Sequence, residues 1–341
     1  MPTFLDFRSD TVTRPTPAMR KAMFEAEVGD DVFGDDPTIR HLEERVAELL
    51  GKERALFVPS GTMANQIAVN CHTSPGDELY CHSGAHVLNF EGGAMAMLSG
   101  VSAATIENSH GSFSAADVEP ILRPNDHHYA PSRLIWVENS ANRSGGTIFP
   151  QESVNSLREL ADRKGLAMHL DGARIWNVAI ATGKSEKELA APFDSISVCL
   201  SKGLGCPVGS LVAGSAGFID KAHRARKRFG GGMRQAGFLA AAGLYALENH
   251  RARLADDHRR AKRIALAVAE MKAFRIDLEK IETNIVLFDA APMQGSEAVA
   301  KLREQGLLAT SFGSKVRMVC HLDVDDAAVD KAIGILQKTF K

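Results

Sequence analysis

An aspartate and a lysine stand where two short apolar runs end. Asp171 follows Leu166-Ala167-Met168-His169-Leu170, and Lys202 follows Ser195-Ile196-Ser197-Val198-Cys199 and Leu200-Ser201. In an open α/β sheet, ligands sit beyond the carboxyl ends of the strands. A carboxylate and an amine at two such ends suit one cofactor. The aldehyde of pyridoxal phosphate needs an amine to form a Schiff base, and its pyridine nitrogen needs a carboxylate to stay protonated. Each residue also has a plainer reading: Asp171 as a helix N-cap before Gly172-Ala173-Arg174, Lys202 as a solvated loop lysine.

Other polar groups follow other runs. Ser60-Gly61-Thr62 comes after Ala55-Leu56-Phe57-Val58 and opens a helical stretch over 63–72. Free N–H groups and the helix dipole make such a start an anion site, suited to a phosphate, or simply an ordinary cap. His86 follows Asp77-Glu78-Leu79-Tyr80-Cys81. It is placed to lie against a flat ring or to act in acid–base chemistry, or else is a core or surface histidine. Gly203-Leu204-Gly205 and Gly209 match a dinucleotide fingerprint loosely, the third glycine falling one place too late.

These residues need elements to hold them. Thr16-Pro17 reads as an N-cap followed by proline at the first helical position. Pro37-Thr38 opens a second helix, 39–50, whose Ile39, Leu42, Val46, Leu49 and Leu50 recur with helical period before Gly51 ends it. Strands are expected at 55–58, 77–81, 134–137, 166–170, 195–199 and 209–213, with helices over 151–164 and 184–190 between them. Short apolar strands alternating with helices argue for a mostly parallel sheet covered on both faces. Residues 236–272 read as long helices. Alternation then returns, with strands at 285–288 and 316–320 and a closing helix, 325–339. The expected division is an N-terminal arm 1–15, a large domain 16–250 and a smaller C-terminal α/β domain 251–341.

Composition narrows the function. The chain has 341 residues, 45% hydrophobic and 24% charged, which excludes a disordered protein. Forty Lys+Arg against 42 Asp+Glu give net charge −2, so overall charge carries no nucleic-acid signal. No apolar run approaches the about 18 residues of a membrane helix, and the start lacks the basic and apolar regions of a signal peptide. A cytoplasmic location is expected, with the 5 cysteines reduced. No Cys/His spacing suggests a metal site.

Taken together, the motifs resemble the threonine aldolase family, within the aspartate-aminotransferase-like, fold type I enzymes that use pyridoxal phosphate. The matching stretches begin with Asp6-Phe7-Arg8-Ser9-Asp10-Thr11-Val12-Thr13, Gly29 to Pro37, Pro59-Ser60-Gly61-Thr62-Met63-Ala64-Asn65 and Glu91-Gly92-Gly93-Ala94. They continue with His169-Leu170-Asp171-Gly172-Ala173-Arg174, Leu200-Ser201-Lys202-Gly203-Leu204, Gly230 to Gly237 and Val316 to Asp323.

The resemblance implies a large domain with a mostly parallel seven-stranded sheet and a smaller C-terminal domain. It implies cleavage of L-threonine, L-allo-threonine or a related β-hydroxy-α-amino acid to glycine and an aldehyde. Lys202 carries pyridoxal 5'-phosphate as a Schiff base, and Asp171 pairs with the ring nitrogen. Gly61 and Thr62 bind the phosphate, with Lys227 and Arg234 contributing from a neighbouring subunit of a homo-oligomer, a tetramer built from two dimers. Arg174 belongs to the cofactor surroundings and, with Ser9 and Arg317, to the substrate carboxylate site, where the planar guanidinium fork suits a carboxylate. His86 stacks on the ring, and His128 approaches the substrate hydroxyl. The base that removes the hydroxyl proton is His86, His128 or a bound water.

One stretch departs from the family pattern. Glu138-Asn139-Ser140-Ala141-Asn142 stands where Glu-Asn-Thr-His-Asn is common. A smaller side chain at Ala141 is expected to admit a bulkier aldehyde portion, making a phenylserine-preferring aldolase the alternative. An aminotransferase or a β-eliminating lyase on the same scaffold is a further alternative. A non-catalytic relative would be expected to have lost Lys202 or Asp171. A nicotinamide dehydrogenase rests only on the imperfect glycine pattern.

Overall fold

The computed structural model describes residues 4–340. Residues 1–3 of the expected arm and the last residue, 341, lie outside that range. The strands are β1 (Leu5–Asp6), β2 (Arg54–Val58), β3 (Glu78–His82), β4 (Ser102–Ile106), β5 (Ser132–Glu138) and β6 (Ala167–Gly172). They continue with β7 (Ser195–Cys199), β8 (Ser210–Gly214), β9 (Ile285–Asp289), β10 (Leu307–Leu308), β11 (Thr310–Phe312) and β12 (Lys315–Val319).

Seven strands form one sheet in the order β2-β8-β7-β6-β5-β3-β4. β8 runs antiparallel to both neighbours; the other pairings are parallel. Apolar residues leave both faces of β5. Ile135 and Val137 join one core cluster, and Leu134 and Trp136 join the cluster on the opposite face. That alternation is why the run reads as continuously hydrophobic. Register then sets the site. Glu138 pairs with Asp171 and Asp171 with Ser197, so three polar side chains share one row at the carboxyl ends of β5, β6 and β7.

Local signals are realised closely. Thr16 caps Pro17–Phe24, and Asp36 caps Pro37–Leu50 through the N–H groups of Thr38 and Ile39. Gly51 ends that helix at φ 61°, a left-handed position open to glycine. Ser60 caps Gly61–His72. Over 236–272 the helical stretch is broken into Gly237–Asn249 and Leu254–Ala269. The basic run 224–228 is the last turn of Ala216–Arg228, where cations oppose the negative end of the helix dipole.

The C-terminal part holds a second sheet, β11-β12-β9, and its own core around Val286, Phe288, Val316 and Leu336. The N-terminal segment is anchored in it. β1 pairs with β10, fully buried Phe7 joins this core, and Val319 donates its N–H to the Phe7 carbonyl. The segment therefore carries Ser9 and Asp10 across to the large sheet. No helix among the described residues is long and apolar enough to cross a membrane.

Candidate active site

A cleft of about 350 Å³ lies beyond the carboxyl ends of β5, β6 and β7. It brings together Ser9, Gly61, Thr62, His86, Asp171, Arg174, Lys202 and Arg317, eight of the expected site residues. Three others lie elsewhere on this chain. His128 is exposed and hydrogen-bonded to Asp126. Lys227 is exposed and borders a separate basic groove with Arg224 and Arg228. Arg234 is exposed and pairs with Asp30 at 2.9 Å.

Asp171 is held by two donors. Asn65 Nδ2 donates to Oδ2 at 2.8 Å, and the Ala173 N–H donates to Oδ1 at 3.1 Å. Asn65 is itself fixed, because Ser197 Oγ donates to its Oδ1 at 2.7 Å. The same Nδ2 also reaches Glu91 Oε1 at 2.7 Å. Glu91, whose side chain is fully buried, further accepts from Gln66 Nε2 at 2.6 Å and His86 Nδ1 at 2.8 Å. One buried chain of hydrogen bonds thus joins Asp171 to His86. Burial opposes the charged form of His86, but the Glu91 hydrogen bond and the Asp171 charge outweigh it and raise its pKa. Glu138, half-buried beside Asp171, is pushed up by burial of its carboxylate and by that neighbouring charge. Its carboxylate accepts the N–H groups of His86 and Asn142.

The opposite wall is cationic. Arg174 donates from Nε and Nη2 to the two oxygens of buried Asp10, at 2.8 and 2.6 Å. Burial opposes the Asp10 charge, and the Arg174 guanidinium more than reverses this, holding the carboxyl well below its usual range. Arg317 has no carboxylate partner among the described residues. Its Nη2 donates to Asn142 Oδ1 at 2.8 Å and its Nη1 to the Arg8 carbonyl at 3.2 Å, while its buried Nε is unpaired. Burial and the nearby Arg174 charge bring its pKa down to about 10. Arg317 is thus the guanidinium left short of an anion.

The helix starting at Gly61 enters the cleft with its first N–H groups lacking intrahelical acceptors. A Cβ at Gly61 would stand 2.8 Å from Cys199 Sγ, so the helix start seats closely on β7 only as glycine. Lys202 lines the floor, in a turn closed by the Gly205 N–H on its carbonyl. A lysine, a buried carboxylate, a helix start and an unsatisfied arginine are the groups that an aldehyde, a pyridinium nitrogen, a phosphate and a carboxylate require, so the residues fit pyridoxal phosphate and an amino acid.

Ala141 does not open this cleft. Its backbone bridges to Thr147, and its methyl packs toward Gly111, where an added Cβ would stand 2.7 Å from it. The expected link between the smaller side chain and a bulkier substrate is therefore replaced by a packing role against the 108–112 turn. Asp10, Asn65, Glu91, Asn142 and Ser197 are site residues that motif spacing did not single out. Four of them sit inside or beside the quoted motifs, but their partners are distant in sequence.

Comparison with known proteins agrees with this geometry. The beta-eliminating lyase family model matches residues 6–291. The probable low-specificity L-threonine aldolase 2 of Arabidopsis thaliana is 41% identical, covering 98% of this chain and 97% of its own. The low specificity L-threonine aldolase of Escherichia coli (strain K12) is 42% identical, covering 94% of each chain. The solved threonine aldolase of Leishmania major shares the fold, with TM-score 0.85 at 17% identity, over 98% of this chain and 99% of that one. The family's enzymes use pyridoxal phosphate. The chain is a fold type I enzyme and belongs to the beta-eliminating lyase family.

Proposed function

We propose that the chain is an aldolase that cleaves the Cα–Cβ bond of L-threonine, L-allo-threonine or a related β-hydroxy-α-amino acid to glycine and an aldehyde. The convergence of Lys202, buried Asp171 and carboxylate-free Arg317 in one cleft carries the reading. Relatives that match nearly the whole chain bear the name low-specificity L-threonine aldolase.

Lys202 would take the cofactor aldehyde, Asp171 the ring nitrogen, and Gly61 and Thr62 the phosphate. Bound there, pyridoxal phosphate supplies an electron sink for the pair left at Cα when a bond to it breaks. Arg317 and Ser9 bind the substrate α-carboxylate, and Arg174, braced by Asp10, completes that wall. Fixing the carboxylate fixes rotation about Cα, which selects the bond that breaks. His86 gives its Nδ1–H to Glu91, which leaves Nε2 as the acceptor for the β-hydroxyl proton. Of His86, His128 and a bound water, His86 is favoured, since it is the one of the two imidazoles that lines the cleft.

Lys227 and Arg234 are assigned to the phosphate site of a second copy. Their exposure outside this chain's own cleft leaves them available to a second copy, and the assembly we assign is a cytoplasmic homo-oligomer, a tetramer of two dimers. The arm 1–15, large domain 16–250 and small domain 251–341 are the units we assign to it.

The family model's description favours a second reading, β-elimination. Product analysis separates the two. L-Threonine gives glycine and acetaldehyde in equal amounts by aldol cleavage, and 2-oxobutyrate and ammonia by elimination. Equal glycine and acetaldehyde is the expected result, and 2-oxobutyrate as main product overturns it.

A further inference from the structure

Beside the cleft lies a smaller alcove of about 260 Å³, walled by Phe90, Arg143 and Phe312 and sharing His86, Asn142 and Arg317 with it. The Arg143 guanidinium carbon lies 3.8 Å from the centre of the Phe312 ring and 5.4 Å from that of Phe90. The guanidinium thus lies over the Phe312 ring, and such a contact leaves its N–H groups able to donate to an anion. Among the described residues, no carboxylate pairs with Arg143 and no side chain accepts from it. Burial lowers its pKa with no counter-charge opposing the shift.

Arg174 is neutralised by Asp10. Arg317 is the match for the substrate α-carboxylate. Arg143, close enough to Arg317 to depress its pKa, is a second uncompensated cation at the mouth of the same site. A phenyl substituent would touch both rings but leave the guanidinium edge unpaired; a carboxylate would satisfy it bidentately.

We propose that this alcove receives the β-substituent of the substrate and that Arg143 binds a carboxylate on it. The substrate class is then β-hydroxy-α-amino acids bearing a second acid group, of which β-hydroxyaspartate is the smallest. The inference rests on the aldolase reading. Its Cα–Cβ bond breaks, the β-oxygen becomes the carbonyl of glyoxylate, and its proton passes to His86. The electron pair stays at Cα, which takes up a proton to give glycine. No oxidant or reductant is needed.

The test is the ratio of kcat/KM on β-hydroxyaspartate to that on threonine, in the wild-type holoenzyme, Arg143→Met and Arg143→Lys. Methionine keeps an unbranched chain between the rings without charge. The ratio falls about tenfold or more in Arg143→Met, chiefly through KM, and less in Arg143→Lys. L-Aspartate lacks the hydroxyl and is not cleaved in this way. Its inhibition constant, relative to that of L-alanine, rises in the same order. Wild-type enzyme that cleaves threonine but not β-hydroxyaspartate overturns the proposal and leaves the aldolase reading standing. So does a ratio unchanged in Arg143→Met. Cleavage of neither substrate overturns both.

Discussion

Asp10 and Arg174 form a buried two-point ion pair, with 5% and 0% of the arginine and aspartate side chains exposed. Buried Asn284 adds a donor to Asp10 Oδ2 at 3.3 Å. Removing one partner of a buried pair strands the other charge, at a cost of about 3–5 kcal/mol. Asp10→Asn is therefore predicted to lose about that much stability in urea unfolding at neutral pH. The depressed Asp10 pKa gives the sign of the pH effect. Its contribution is present above the unfolded carboxylate value of about 4 and fades as pH falls through the lower folded value. The gap between wild type and variant should narrow as pH drops below about 4. A constant gap would show that the carboxylate charge is not what braces Arg174.

Glu91 is predicted to set the protonation of His86. Its carboxylate accepts from Asn65, Gln66 and His86. Glu91→Gln turns one acceptor into a donor and removes the charge-assisted hydrogen bond that, with the Asp171 charge, raises the His86 pKa. A base must be neutral to act, so activity rises with pH through that pKa. The acid limb of kcat/KM should move to lower pH in Glu91→Gln, and kcat should fall about tenfold. An unmoved limb would exclude His86 as the titrating base.

Gly61 is predicted to be held to glycine by Cys199. Its alanine variant places Cβ 2.8 Å from Cys199 Sγ and should cost about 1–3 kcal/mol by overpacking. Adding Cys199→Ala should recover much of that loss and of the cofactor affinity lost with it. Additive effects of the two changes would show that the contact is not the cause.

Restoring the family's common histidine at position 141 is predicted to affect packing rather than substrate choice. The Ala141 methyl faces Gly111, so Ala141→His should displace the 108–112 turn and cost about 1–3 kcal/mol. The ratio of activity on threonine to that on phenylserine should stay within about threefold. A larger change would return Ala141 to the specificity surface.

Most strands were legible because they are short apolar runs, as in Leu134 to Val137, and their caps were legible because Thr16, Asp36 and Ser60 stand just before helices. β4 was not. Ser102-Ala103-Ala104-Thr105-Ile106 is an edge strand of small, largely accessible residues with little apolar signal. The helix Ala216–Arg228 was visible only as its basic end. In the cleft, position at strand ends drew attention to Asp171 and Lys202 while leaving their plainer readings open, and the fold brings both to one cleft. Asp10 was not, because its worth lies in a partner 164 residues away. Asn65 likewise acts through Asp171 and Ser197, contacts that only the register of β6 and β7 brings together.

If Asp171, Lys202 and the arginine wall stabilise an electron pair at Cα, bound glycine must exchange an α-proton with solvent. Proton NMR of glycine in D2O with the cofactor-loaded enzyme reads that exchange. Stereospecific exchange of one α-proton, lost in Lys202→Ala and strongly slowed in Asp171→Asn, is the predicted result. Cofactor-loaded enzyme that leaves both α-protons of glycine unexchanged would rule out that stabilisation.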